Sequence, residues 1–345
     1  MDRPLRVVYL DLGFSKEQYG LQPTRYGGGA VAARHLKEEQ DIEFVVFAPR
    51  EAFDNVGVDE ARTRCVVMAP ELCDALKRGY PVSEIMGEGK PYAAPDLILH
   101  PHTCTTVNRG TYPGPIVHFC GFDGAAGHPG NDYTLLYDPS FTPRFGERAK
   151  YVRIGKPVPL TCPQRPRATD STREQPFVFQ CSRHDDHMAS VSLAVACRAA
   201  GIPVVFAGPI HPGCKLLDHV DGAAVRYLGE VDEQTKLDYC RRAALFSILY
   251  AWDPPFSQSV IEAQGQGCPI YVPRRGPFLS TYLHHGVNGF DANLIGLSVA
   301  FAAAQQLSPQ DSHRAARAYD STVMVQSFKA AFREIVAEWR PQIQG

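Results

Sequence analysis

The stretch Trp252–Pro273, WDPPFSQSVIEAQGQGCPIYVP, constrains the fold of this chain more than any other. The prolines at 254 and 255 fit neither a helix interior nor a central strand, so the stretch opens as a loop. Ser257 is placed to cap a short helix through its hydroxyl. Gly265 and Gly267 end that helix, and Pro269 leads into a buried strand, Ile270–Val272. The start of such a helix presents free backbone N–H groups and a partial positive charge, which suits a phosphate. Glu262, the one carboxylate among Val260, Ile261 and Ala263, falls roughly one turn further in. There it can accept the paired hydroxyls of a ribose. A surface helix with one solvated Glu has the same spelling, so the neighbouring segments must decide.

Those neighbours alternate. Leu5–Leu10 is an apolar strand, followed by a loop reaching Gly27-Gly28-Gly29 and then the helical composition of AVAARHLKEE. Strand, glycines and helix make the doubly wound pattern, and the glycines let a ligand approach the backbone closely. Further short strands are expected at Glu43–Phe47, Asp96–His100, Ile116–Phe119, Leu135–Tyr137 and Tyr151–Ile154. His118 closes PIVHF, and strand ends are where such folds place ligand groups. His100 and His102 flank Pro101 at another strand end. The polar stretch Thr161–Gln175 has two prolines and no periodicity, and reads as a linker.

A second alternation starts at Phe177. Strands are expected at Phe177–Cys181, Val204–Ala207, Val225–Leu228 and Leu245–Tyr250, with helices at Val191–Ala200 and Asp232–Arg242. Helical stretches at Leu297–Gln306 and Asp311–Tyr319 follow. A last helix, Ser327–Arg340, puts Phe328, Phe332, Ile335, Val336 and Trp339 on one face.

Composition narrows the function classes. The 345 residues are 44% hydrophobic and 21% charged, enough to fill two globular cores. The net charge of −2 gives no bulk attraction to nucleic acid or an anionic membrane. Apolar runs fall short of the roughly 18 residues a membrane span needs. The opening MDRPLRVVYLDLG does not read as a secretion signal. The 10 cysteines are scattered, with no C-x-x-C spacing to suggest a metal site. With no export signal, the expected compartment is the reducing cytoplasm.

Taken together, several blocks resemble glycosyltransferase family 4, retaining enzymes of the GT-B architecture. Cys181-Ser182-Arg183 resembles the family's strand-end Gly-Arg. Tyr227-Leu228-Gly229 resembles its Leu-Gly before the next helix. The turn at Pro255-Phe256, with Glu262 and Gly267-Cys268-Pro269, resembles its Pro-Phe, Glu-Ala and Gly-x-Pro block. Gly286-Val287-Asn288-Gly289-Phe290 resembles its glycine turn. In the first half, Gly27-Gly28-Gly29-Ala30 is similar to its Gly-Gly-Ala, and His118 to the histidine that touches the donor sugar. Arg153–Pro157 resembles the end of its first domain.

The resemblance implies an α/β fold of two doubly wound Rossmann-like domains facing across a cleft. The expected division is an acceptor-side domain at 1–160, the linker at 161–175, a nucleotide-sugar domain at 176–325, and a helix at 326–345 packing back on the first domain. The implied activity is transfer of a sugar from a nucleotide donor, UDP most commonly, to a glycan or small-molecule acceptor with retention. No metal or other cofactor is implied. Arg183, His118 and Glu262 are the implied catalytic residues. Gly28, Gly29, Arg183, Asp253, Phe256, Ser257, Gln258, Ser259, Glu262 and Arg275 are the expected donor-binding set.

Two positions depart from the family. Its Lys five residues after the Arg is Met188 here, and its Glu before Pro-Phe is Pro254. Arg274, Arg275 or His187 is the expected substitute cation, and Asp253 the substitute carboxylate. The departures leave open a nucleotide-sugar or glycan-binding protein without turnover. A GT-B epimerase is the other alternative, with Asp123 as its one evident acid–base candidate.

Overall fold

The computed structural model describes residues 3–10, 35–36, 38–48, 65–100, 107–120, 131–136, 148–165, 175–252, 254 and 256–343. By contacts the chain divides into two compact units, Met1–Gly155 with Ser321–Gly345, and Lys156–Asp320.

The first unit holds strands β1 (Leu5–Leu10), β2 (Ile42–Ala48) and β3 (Cys65–Val67), helix α1 (Pro70–Lys77), then β4 (Leu97–His100), β5 (Ile116–Cys120), β6 (Tyr133–Leu136) and β7 (Ala149–Tyr151). The strands pair in the order β3-β2-β1-β4-β5-β6-β7, every pair parallel. A sheet covered on both faces selects continuous apolar runs, which is why LRVVYL and LILH are strands. The interruption in β1, Arg6, is answered across the register by Glu43, with hydrogen bonds of 2.8 and 2.9 Å.

The second unit holds β8 (Val178–Cys181), α2 (Ser190–Ala199), β9 (Val204–Ala207), β10 (Val225–Tyr227), α3 (Glu233–Arg242), β11 (Leu245–Ser247), α4 (Gln258–Gly265), β12 (Ile270–Val272), α5 (Gly276–Tyr282), β13 (Gly289–Asp291), α6 (Leu297–Ala304) and α7 (Pro309–Arg317). Its parallel strands run β10-β9-β8-β11-β12-β13. Strand order reverses between β8 and β11, the place where doubly wound sheets open a crevice at the strand ends.

Helix α8 (Ser321–Ile343) belongs to the first unit. It starts earlier than the periodicity predicts. Phe328, Phe332, Ile335 and Val336 are buried, with Phe328 edge-on to Phe119 at 5.4 Å. Lys329 bridges Glu39 and Asp41 at 2.7 and 2.6 Å, and Lys150 bridges Glu334 and Glu338.

Three sequence expectations are corrected. The strand expected at Leu245–Tyr250 stops at Ser247; Ile248 and Tyr250 stay buried, but the chain leaves the sheet where the Tyr250 hydroxyl donates to Ser257. The strand expected at Tyr151–Ile154 lies at Ala149–Tyr151, with Val152 and Ile154 buried beyond it. Cys65–Val67, unforeseen as a strand, pairs with β2.

In the stretch expected as linker, residues 161–165 and 175 are described, and Arg165 is bound to the second unit. Its Nε and one terminal nitrogen donate to the carbonyls of Arg241 and Gly267 at 3.2 and 3.3 Å, and the other donates to Ala243. These carbonyls lie at the carboxyl ends of α3 and α4, where backbone acceptors lack helical partners and a cation is favoured. No helix among the described residues is long and apolar enough to cross a membrane.

Candidate functional site

The site is built at the end of β8. Here the chain must turn close beneath β9, and it does so because position 208 is glycine. Gly208 has φ +118, and a Cβ there would stand 2.1 Å from the Ser182 carbonyl oxygen. Asp185 then caps a one-turn helix, Asp186–Met188, by accepting from the Met188 N–H at 3.1 Å. Its second oxygen takes Arg183 Nε at 2.7 Å. One edge of the guanidinium is thereby pinned, and among the described residues nothing else occupies its terminal amino groups. The Arg183 side chain is 37% exposed. Ala189 follows with φ 47 and ψ 37, a left-handed conformation that costs an L-residue roughly 1–2 kcal/mol. Strain of this kind gathers where a loop is held for a purpose.

Beneath Arg183 lies a buried polar network. His184 Nε2 faces the Ala207 carbonyl at 3.0 Å, so it carries the proton and donates. Nδ1 then accepts from the Ser190 hydroxyl at 2.8 Å, and Ser190 accepts from Gln180 at 3.0 Å. Burial lowers the His184 pKa to about 4 from an ordinary 6.5. An unfolded chain protonates this ring first, so its contribution to stability is full above pH 6.5 and is lost as pH falls to about 4. Urea midpoints should drop across that window in the wild type, and His184→Gln should flatten the slope. Equal slopes in the two chains would assign the titration to another group.

Helix α4 begins as the sequence predicts. Ser257 accepts from the Val260 N–H at 3.4 Å. Gln258 and Ser259, in the first turn, are half-buried. Phe256 packs inward on Phe278 at 4.8 Å and on Tyr319 at 5.9 Å. Glu262 lies between two lysines. Lys156 Nζ stands 2.6 Å from Oε1, and Lys236 Nζ stands 2.9 Å from Oε2. Lys236 also pairs with Glu233 at 2.7 Å. Burial pushes the Glu262 pKa up, and the two lysines overcome this and hold it below its ordinary value.

The substitutes expected for the missing cation are placed as follows. Arg274 donates Nε and a terminal nitrogen to the Ser280 carbonyl at 3.0 and 2.7 Å. Arg275 is exposed at the N-terminus of α5. Met188 packs against the hydrophobic core, and Pro254 is buried. Gly28, Gly29, His102, Asp123 and Asp253 lie outside the described residues, as does the side chain of His187. In the first unit, His118 is fully buried beside His100, their ring centroids 5.1 Å apart on neighbouring strands. His100 Nε2 donates to Asn131 at 2.7 Å.

Sequence reading missed Asp185, His184, Lys156 and Lys236. The Arg-x-Asp spacing was a local signal for the first. Lys156 meets Glu262 only through the fold.

No protein-family model matches the sequence, and no curated protein sequence matches it. Solved structures do share its fold, and that fold is GT-B. Sucrose-phosphate synthase from Thermosynechococcus elongatus superposes with TM-score 0.69 at 15% identity, over 97% of this chain and 100% of that one. HepE from Anabaena, in complex with UDP-glucose, gives 0.67 at 14% identity over 96% and 100%. AviGT4, a glycosyltransferase involved in avilamycin A biosynthesis, gives 0.64 at 17% identity over 97% and 98%.

Proposed function

We propose that this chain is a glycosyltransferase of the family 4 type, moving a sugar from a nucleotide donor to an acceptor hydroxyl with retention. The observation that carries the reading is Arg183, pinned by Asp185 at the end of β8, the strand beside the switch point. Transfer leaves a diphosphate with growing negative charge, and a preoriented guanidinium stabilises that charge more effectively than a mobile one. The N-terminal turn of α4 offers further donors to an anion. Glu262 takes the ribose. UDP is the nucleotide this reading favours, since HepE was solved with UDP and with UDP-glucose. The leaving phosphate takes the acceptor proton, so no protein base is invoked. The place of work is the cytoplasm.

Calorimetric titration with UDP, GDP and ADP tests this. One nucleotide should bind, and its sugars should then be screened against acceptors, with the product anomer read by NMR. No binding by any of the three overturns the transferase reading. Met188 in the core and the buried Pro254 favour one other outcome, binding without turnover.

A further inference from the structure

The cluster around Glu262 is unusual in its charge and its depth. Lys156, Lys236 and Glu262 have side chains only 7%, 10% and 5% exposed. Burying three charges is a poor route to stability, because desolvation offsets most of the attraction. Apolar residues of similar volume would hold the same elements together at least as well. The arrangement therefore asks for a purpose beyond packing.

The lysines come from separately anchored places. Lys156 is fixed by its backbone, its N–H donating to the Tyr319 carbonyl at 3.0 Å. Lys236 rides on α3, whose N-cap Asp232 accepts from the Thr235 N–H. Each lysine takes one carboxylate oxygen. Lys236 Nζ lies 2.9 Å from Oε2 and Lys156 Nζ 2.6 Å from Oε1, and both lysines favour the ionised carboxylate. A carboxylate has about four lone-pair sites, so two cations leave capacity for two hydroxyls. Other titratable groups near Glu262 are Glu233 and Cys240 on α3 and Cys181 at the end of β8. From α7, which packs on α4, His313 and Arg317 turn instead to the carbonyls of Pro159 and Val158. From β12, the Tyr271 hydroxyl donates to Ile295.

We propose that Lys156 and Lys236 are positioning residues, a two-cation clamp that keeps Glu262 ionised and aimed so that recognition of the donor's ribose does not vary with pH. This rests on the ribose role given to Glu262 above. Without the lysines, the upward push of burial on the Glu262 carboxyl would go unopposed and favour its protonated form. A protonated Glu262 would hold vicinal hydroxyls poorly, because it offers fewer acceptor sites and weaker ones.

The test compares the best-binding nucleoside diphosphate among UDP, GDP and ADP with its 2′-deoxy counterpart, by calorimetry at about pH 6 and pH 8. The wild type should prefer the ribonucleotide by the same factor at both. Lys156→Met and Lys236→Met should lose roughly tenfold of that preference at the lower pH and regain part of it at the higher. Lys→Arg at either position should restore the wild-type profile. If the Met variants do not fold, Lys156→Gln and Lys236→Gln remove the charge and keep a donor. A preference unchanged in the Met or Gln variants at both pH values overturns the clamp and leaves Glu262 in its role. A wild type with no preference for the ribonucleotide removes that role, and the clamp with it.

Discussion

Glu262→Ala should lower the free energy of unfolding by about 3–5 kcal/mol at neutral pH, the usual cost of breaking a buried ion cluster by deleting one sign of charge. The loss falls unevenly. Lys236 keeps Glu233, which is half-exposed at 55%. Lys156 keeps no carboxylate within ion-pair distance among the described residues, and its side chain is 7% exposed. Leaving that ammonium buried without a counter-charge carries most of the cost, and urea unfolding of the wild type and Glu262→Ala at neutral pH will read it directly. The combined replacement Glu262→Leu, Lys156→Met and Lys236→Met should cost far less than Glu262→Ala alone. A single-variant loss below about 1 kcal/mol would mean that both ammonium groups escape to water.

Arg183→Ala should weaken binding of a nucleoside diphosphate by roughly tenfold to a hundredfold, since charge-assisted hydrogen bonds contribute about 1.5–3 kcal/mol each. The same variant should scarcely change binding of the corresponding nucleoside, which carries no phosphate. Asp185→Asn should fall between, because it frees the guanidinium without removing it. Calorimetry with nucleoside, monophosphate and diphosphate separates the contributions. An equal loss across all three ligands would show that Arg183 supports the loop and does not meet the phosphates.

Much of the second unit was legible because its signals are local. Pro254, Ser257, Gly265 and Gly267 punctuate the chain within a few residues of the helix they bound, and that helix runs Gln258–Gly265 with Ser257 as its cap. Strand ends were less legible. Leu245–Tyr250 reads as one apolar run, but only its first half pairs, since burial selects apolar residues whether or not they join a ladder. The β3 strand is three residues long and has too little periodicity to register. The Arg183 site was half-visible: the strand-end arginine stands out, whereas its orienting partner was hidden in a polar run, SRHDDHMAS. The lysines on Glu262 were invisible for a different reason. Positions 156, 236 and 262 are remote in sequence, and nothing local marks a lysine that turns inward.

The return of α8 to the first unit bears on how this protein is made. The second unit is one uninterrupted stretch, Lys156–Asp320, while the first is finished only by residues beyond Ser321. A chain emerging from the ribosome therefore carries an incomplete N-terminal unit, its Phe119 side still lacking Phe328. The unit translated first closes last, after its successor has already had the material to fold. During that interval the apolar part of the surface that α8 covers, around Phe119, is without its cover, so aggregation before completion would start from the unit translated first.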